Sequence, residues 1–483
     1  MPDNDSLMAD TYGWDTAFAI RVDDVNATIQ RKGTSPKDFS TSTQDPNTGI
    51  AVAVTGTFSD WHITLGGSGK LIHMATPVVA LAAKGNVPGT GPVDFTFGPG
   101  SFEIEVELEY VPHTDAPASG SGTLHNLKVR AAAPAGPSVV TVLDASGFGT
   151  STDASHTPFD AVADDVKAAM QTWFDANLGD FEHVFATVNL NRTADRGQFA
   201  WLLPTYSSYA YIDGATLDDS ILGILCMTEN RSATGLDQEI SPNAIPAGAR
   251  AGFLIAPARF ISEMLWPSMS IVYKGTKPGD FQLNTDGTGL SLSNGEVTID
   301  DLVDDDGNAH TTVLQDFELT TTDQLLTVNA TTRVEVSPGI QAFTKVVNSY
   351  DLCLHQLASG KQTIYYVERN AVPAEHWTTE SEGVEITKIL EGVIAALITV
   401  AIGVATGGAG FAAAAIVMGI LAGVGSMVPD IIAAANTDAA PPIDLLLFNA
   451  TDPLQWSDQA DFNLTGVALN YALQMGGTPS FNG

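Results

Sequence analysis

From Phe102 to Tyr110 the sequence FEIEVELEY alternates without interruption, with Phe102, Ile104, Val106, Leu108 and Tyr110 on one side and four glutamates on the other. A period of two is the spacing of a β-strand with one buried face and one wet face. Similar alternation recurs at Ile50–Val54, Trp61–Leu65, Leu124–Val129, Leu326–Val336, Thr363–Val367 and Val467–Met475, separated by clusters of Gly, Pro, Asn and Asp. The chain therefore reads as α+β and β-rich, built on extended antiparallel sheets. A sheet of this extent curls, and its concave apolar face needs something long and apolar to fill it.

Two segments have the composition to do so. In the first, Pro158 to Leu178, Thr157 suits an N-cap, Pro158 the first helical position and Gly179 the stop. Phe159, Val162, Val166, Met170 and Trp173 share one stripe there, opposite Asp164, Asp165 and Lys167. The second lies within residues 386–435, where Gly392 to Val428 contains no charged residue. Gly407–Gly408–Ala409–Gly410 divides it into helices of about Ile386–Thr406 and Phe411–Ala435. Such a hairpin is either core packed through its small residues or a membrane-inserting element, and Val404 and Val417 are the positions that would test insertion. A shorter helix is expected from Arg259 to Leu265, ending before Pro267. The repeated order of strands followed by a helix suggests two modules, 1–215 and 216–483.

Charge limits the partners. Among 483 residues, 56 are Asp or Glu and 21 are Lys or Arg, a net charge of −35 that repels a phosphate backbone, so nucleic acid is excluded as a direct partner. Contact with anionic lipid would need apolar insertion or a local basic patch. Cys226 and Cys353 lie in no zinc or redox spacing. The acidic stretch from Met1 to Asp10 lacks the basic and apolar regions of a secretory signal, so synthesis in the cytoplasm and release by a non-classical route are expected.

Catalytic signatures are thin. Leu65–Gly66–Gly67–Ser68–Gly69–Lys70 suggests a phosphate loop, but Thr64 stands where a glycine is needed and Leu71 where Ser or Thr is needed, which leaves a Gly-rich turn. The acidic run Asp300, Asp301, Asp304, Asp305, Asp306 with Gly307 puts Leu302 and Val313 at the first and twelfth positions of a calcium loop, where oxygen ligands belong. The nine histidines form no HExxH or H-x-H pair. No catalytic residue, cofactor or metal is assigned, and binding is favoured over catalysis.

Several motifs together resemble a known family. They are Thr11–Tyr12–Gly13–Trp14–Asp15; Phe58–Ser59–Asp60–Trp61–His62–Ile63 leading to Gly66–Gly67–Ser68; Trp201–Leu202–Leu203–Pro204–Thr205 with Tyr209–Ala210–Tyr211; Ile224 to Arg231; Phe253–Leu254–Ile255–Ala256–Pro257; and Asp461–Phe462–Asn463–Leu464–Thr465. The set resembles the OrfX and forty-seven-kilodalton accessory proteins encoded beside clostridial neurotoxins, over nearly the whole chain. The resemblance implies a TULIP-like (tubular lipid-binding) fold, strongly curved antiparallel sheets wrapped around long helices. It also implies toxin delivery or lipid binding without catalysis, with lipid, a toxin or a fellow accessory protein as partner. On that reading Phe102, Ile104, Val106, Leu108, Tyr110 and Trp173 line a lipid groove; the alternative is a protein-interaction scaffold in which they form a closed core. Trp14 and Trp61 have the bulk of core anchors.

Overall fold

The computed structural model describes residues 8–44, 51–87, 91–112, 123–129, 139–178, 187–190, 201–202, 204–303, 307–322, 324–337, 339–356, 362–369, 372–379, 455–456 and 459–481. The described strands form three antiparallel sheets, accompanied by few helices.

A six-stranded sheet unites the two ends of the chain. Its order is Pro204–Ile212, Ile221–Thr228, Thr16–Arg21, Ala251–Ile255, Ala472–Phe481, Gln459–Asn470. Phe18 lies opposite Ile224 on one side and Phe253 on the other. Every residue of Ile221–Thr228 and of Ala251–Ile255 is buried, because both faces of this sheet are covered. That double burial explains why these strands read as continuous apolar runs instead of alternating ones. Phe18, Ile20, Leu222, Ile224, Phe253 and Ile255 face the main core. Ala17, Ala19, Ile221, Leu225 and Leu254 face a smaller one with Trp14, Ile240 and Ile245. The expected division at 215/216 falls in the connection between Pro204–Ile212 and Ile221–Thr228, neighbouring strands of this sheet.

The ten-stranded sheet carries the alternating acidic strand. Along its main path run Asp38–Gln44, Ala51–Phe58, Leu71–Val87, Gly100–Pro112, Thr123–Val129, Thr187–Leu190 and Gln455–Trp456. The seventeen-residue strand Leu71–Val87 changes partners midway: Leu71–Val78 pairs with Gly100–Glu107, and Val78–Asn86 with Ala51–Phe58, with a register shift at Val79.

Helix α1 (Val22–Lys32) follows directly from the central strand and was not anticipated. Helix α2 (Ala163–Ala176) touches the edge strand Asp38–Gln44, its neighbour Ala51–Phe58, and Val140–Ser146, so it lies across the apolar face of the ten-stranded sheet. It is shorter than the expected 158–178. Pro158 precedes a separate 3-10 turn, Phe159–Ala161, and Val162 (φ −128°) breaks the two apart, so Thr157 caps nothing on α2. Helices α1 and α2 have 11 and 14 residues, so α2 falls short of the 21-residue helix expected at 158–178.

Two further expectations are corrected. The helix after Pro257 does not stop before Pro267. A π turn at Phe260–Leu265 leads into a 3-10 turn at Trp266–Ser268 and on to Met269–Val272, so Pro267 occupies an early turn position where its missing N–H is not needed. The run Val467–Met475 is a hairpin and not one strand, reversing at Tyr471 (φ 67°). Val467 lies opposite Met475 and Leu469 opposite Leu473, so the alternation passes through the turn unchanged. The remaining sheet, of eight strands, spans Phe281–Leu283 to Glu375–Thr378. The expected hairpin at 386–435, with Val404 and Val417, lies outside the described residues.

Candidate functional site

The residues expected to line a lipid groove are placed as follows. Phe102, Ile104 and Val106 are 0% exposed, in register with Thr76, Met74 and Ile72 of the neighbouring strand. Leu108 and Tyr110 continue the same strand, opposite Val129 and Leu127, and their side chains lie outside the described residues. Trp173, 5% exposed, projects from α2 among Phe58, Phe39 and Trp61 at ring distances of 5.2, 6.3 and 6.4 Å. Phe102 meets Phe148 at 5.3 Å, and Phe148 stacks on Phe159 at 4.4 Å. These rings share one contiguous core. Gln171 fastens α2 over it, accepting from Val142 N and donating to Val140 O as an extra strand residue would.

The motifs from distant parts of the chain converge elsewhere, at one end of the six-stranded sheet. Asp15 is 2% exposed and accepts hydrogen bonds from the Thr228 N–H and hydroxyl, while Arg231 pairs with its other oxygen at 3.2 Å. A buried carboxylate without such partners would be costly to the fold. Arg259, 4% exposed, lies between Glu229 and Glu263 and 5.5 Å above the Trp201 ring. The chain reverses between the two groups through Glu229 and Asn230, both at positive φ (50° and 59°). A cavity of about 180 Å³ separates Arg231 and Arg259 from Asp10, Asp286 and Tyr471.

Trp14 also faces a larger cleft, of about 850 Å³, on the outer face of this sheet. Tyr206 and Ser208 from the edge strand form its floor, Ser68–Leu71 one wall, and the loop Asp237–Ile240 the other. Trp14 Nε1 donates to Asp237 O, and Gln238 Nε2 donates to the Ser208 hydroxyl, so the loop is tied to the floor at both positions. Tyr206 stacks on buried Trp14, ring planes 10° apart and centroids 6.0 Å apart, and stays 53% exposed. Tyr12 stands at the rim; partial burial and the charges of Asp10 and Glu239 push its phenol up. Gly69 closes the adjacent hairpin at φ 59° and exchanges two backbone hydrogen bonds with Tyr211, which joins the ten-stranded sheet to the six-stranded one beside the cleft. Of the Gly-rich run expected to be a turn, Leu65–Ser68 belongs to the strand His62–Ser68 and only Gly69 and Lys70 make the turn, beside one wall of the cleft.

Sequence reasoning singled out Trp14 and missed Tyr206, Asp237 and Glu239. The available signal was Tyr206 alternating with Ser208 on the face opposite Tyr209 and Tyr211, in the strand PTYSSYAYI. Nothing local says that this face is open.

Comparison with known proteins places the chain in context. Residues 11–477 match the family described as OrfX-like: Protein OrfX2/OrfX3/P47. Protein OrfX3 of Paraclostridium bifermentans is 31% identical over 488 residues, covering 97% of this chain and 98% of that protein. Protein OrfX3 of Clostridium botulinum (strain Kyoto / Type A2) is 30% identical, covering 98% and 99%. Among solved structures, P47 from Clostridium botulinum A2 has a TM-score of 0.65 at 15% identity and covers 98% of both chains. P47 of Clostridium botulinum E1 has a TM-score of 0.64, also at 15% identity, covering 97% of this chain and 100% of that one. At that identity the likeness is one of fold.

Proposed function

The chain belongs to the OrfX2/OrfX3/P47 family of toxin-cluster accessory proteins, and from that premise we propose that it works without catalysis, as a protein-interaction scaffold whose core is filled. The observation that carries this reading is the packing of Phe102, Ile104 and Val106 at 0% exposure, in one core with Trp173 and Phe174 of α2. A side chain already in van der Waals contact on every side has no surface left for an acyl chain, so the open surfaces are where a partner is met. The partner is a toxin or a fellow accessory protein. The experiment is a pull-down of proteins encoded by the neighbouring genes, purified singly, with this chain as bait. Capture of a defined neighbour at stoichiometric ratio is expected. Failure to bind any of them removes the scaffold reading.

One observation favours a second reading, lipid binding in a TULIP-like tube. Helix α2 lies across the apolar face of a long sheet, between an edge strand and Val140–Ser146, a sheet-and-helix arrangement of the kind that the TULIP-like resemblance implies. Native mass spectrometry after detergent-free purification, with flotation on liposomes of varied headgroup, separates the two. Co-purifying lipid, or flotation with any liposome, favours the tube, and its absence beside a captured protein neighbour favours the scaffold.

A further inference from the structure

The cleft over Tyr206 has the chemistry of a cation site. Tyr206 is 53% exposed and its ring runs nearly parallel to buried Trp14, 6.0 Å away, so it offers aromatic surface beside a fixed neighbour. Of the charged side chains lining the cleft, Lys70 already lies 3.4 Å from Glu107. Asp237 and Glu239 are exposed and make no ion pair among the described residues. At the rim, Asp10 and Glu239 lie near enough to Tyr12 to add to the upward push that burial gives its phenol, so carboxylates crowd this side of the cleft. The net charge of −35 sets a negative field around the molecule and draws cations in. A volume of about 850 Å³ accommodates several side chains of an extended segment.

We propose that this cleft docks a basic segment of a partner protein, with an arginine guanidinium stacked on Tyr206 and paired with Asp237 or Glu239. Arginine fits better than lysine because its planar, weakly hydrated guanidinium stacks on a ring while its edge hydrogen-bonds a carboxylate. The inference rests on the scaffold reading above and gives it a site and a partner chemistry.

The test uses the full chain and a fluorescein-labelled peptide of four Arg-Gly repeats, followed by anisotropy at about 150 mM salt, where exposed charges are screened beyond about 8 Å. A Lys-Gly peptide of equal charge and a neutral oligosaccharide, maltoheptaose, serve as comparison ligands. Tyr206→Ala is expected to weaken the arginine peptide roughly fivefold, the size of a stacked cation–aromatic contact. Tyr206→Phe, which keeps the ring, and Asp160→Asn, which removes an exposed charge from outside the cleft, are expected to leave it unchanged. The lysine peptide is expected to bind more weakly. If Tyr206→Ala does not fold, as judged by near-ultraviolet circular dichroism, Asp237→Asn with Glu239→Gln replaces it and must weaken the peptide more than Asp160→Asn with Asp164→Asn. The proposal is overturned if Tyr206→Ala behaves like Asp160→Asn, if Tyr206→Phe loses as much as Tyr206→Ala, or if maltoheptaose displaces the peptide. The same variants in the neighbour pull-down keep the two readings apart. A neighbour still captured by a chain whose Tyr206 proves irrelevant leaves the scaffold standing and removes only this site.

Discussion

Asn26 and Ile63 are joined as two residues of paired strands would be: Asn26 Nδ2 donates to Ile63 O at 3.0 Å, and Ile63 N donates to Asn26 Oδ1 at 2.7 Å. The side chain of a helix thus stands in for a missing strand. It caps the ladder side of His62–Ser68 that faces away from Leu71–Val87 and fastens α1, which issues from the six-stranded sheet, to the ten-stranded one.

Removing that amide should be costly, because it leaves the backbone N–H and C=O of a buried residue without partners. Asn26→Ala is expected to lower stability by about 1–3 kcal/mol. Asn26→Asp should be worse near neutral pH than in mild acid, since a carboxylate cannot donate to Ile63 O and a protonated acid can. Denaturant midpoints at pH 7 and pH 4.5, compared with those of the parent, check both. An Asn26→Ala protein as stable as the parent would show that the pair is incidental.

Much of the ten-stranded sheet was legible in the sequence because its alternation is local, and Phe102, Ile104 and Val106 are buried as their phase requires. The six-stranded sheet was hidden for the opposite reason. Thr16–Arg21 pairs with strands two hundred residues or more away, and only contact across that distance reveals it. Helix α1 carried a full local signature, with Val22, Val25 and Ile29 buried on one side, Asp23 and Asp24 in the first turn, Arg31 and Lys32 in the last, and Gly33 at φ 57° after it. Its three turns were overshadowed by the strands on either side. The cleft was not legible at all, since its floor, walls and rim come from Tyr12, Lys70, Tyr206 and Glu239, which only the tertiary fold brings together.

Trp173 supplies the second prediction. Its ring is packed among Phe39, Phe58, Trp61 and Phe174, so Trp173→Ala leaves a void that the surrounding rings fill only in part. A loss of about 3–5 kcal/mol is expected. Equilibrium denaturation measures it, and a cost below about 1 kcal/mol would mean that the core around α2 is loose enough to admit a ligand.

Arg259 supplies the third. Its guanidinium is buried over Trp201 between two carboxylates, with Nε making no hydrogen bond. Arg259→Ala should cost about 3 kcal/mol by stranding Glu263 and uncovering the indole, moderated because Glu229 is half exposed and regains water. Arg259→Lys should recover less than half of that loss, since an ammonium can neither reach both acids in one plane nor cover the ring. Thermal melts of the two variants decide the matter. Equal stability of the lysine variant and the parent would reduce Arg259 to a point charge.

Alkaline pH provides the last prediction. Burial is the largest cause in each of three groups: it pushes the Cys226 thiol up to about 12, and the phenols of Tyr211 and Tyr273 above the usual tyrosine range. All three are neutral when protonated, so folding favours the protonated form. In the unfolded chain the thiol ionises near pH 8.5 and the phenols near pH 10. Above those values the unfolded state holds fewer protons than the folded one, and stability falls as pH rises. Their contribution is complete below about pH 8.5, and Cys226 loses its share progressively up to about pH 12, at no more than about 1.4 kcal/mol per pH unit. Denaturant midpoints should therefore be flat from pH 7 to 8 and decline from pH 9 onward. Cys226→Ala should shrink the decline between pH 9 and 10, leaving the share of Cys353, whose thiol burial also raises, and leave the later, tyrosine-driven part in place. The same burial predicts that in the native protein at pH 8 Cys226 stays silent to a thiol reagent that titrates it fully in denaturant. Rapid native labelling of Cys226 would show that the strand Ile221–Thr228 opens far more readily than its complete burial implies.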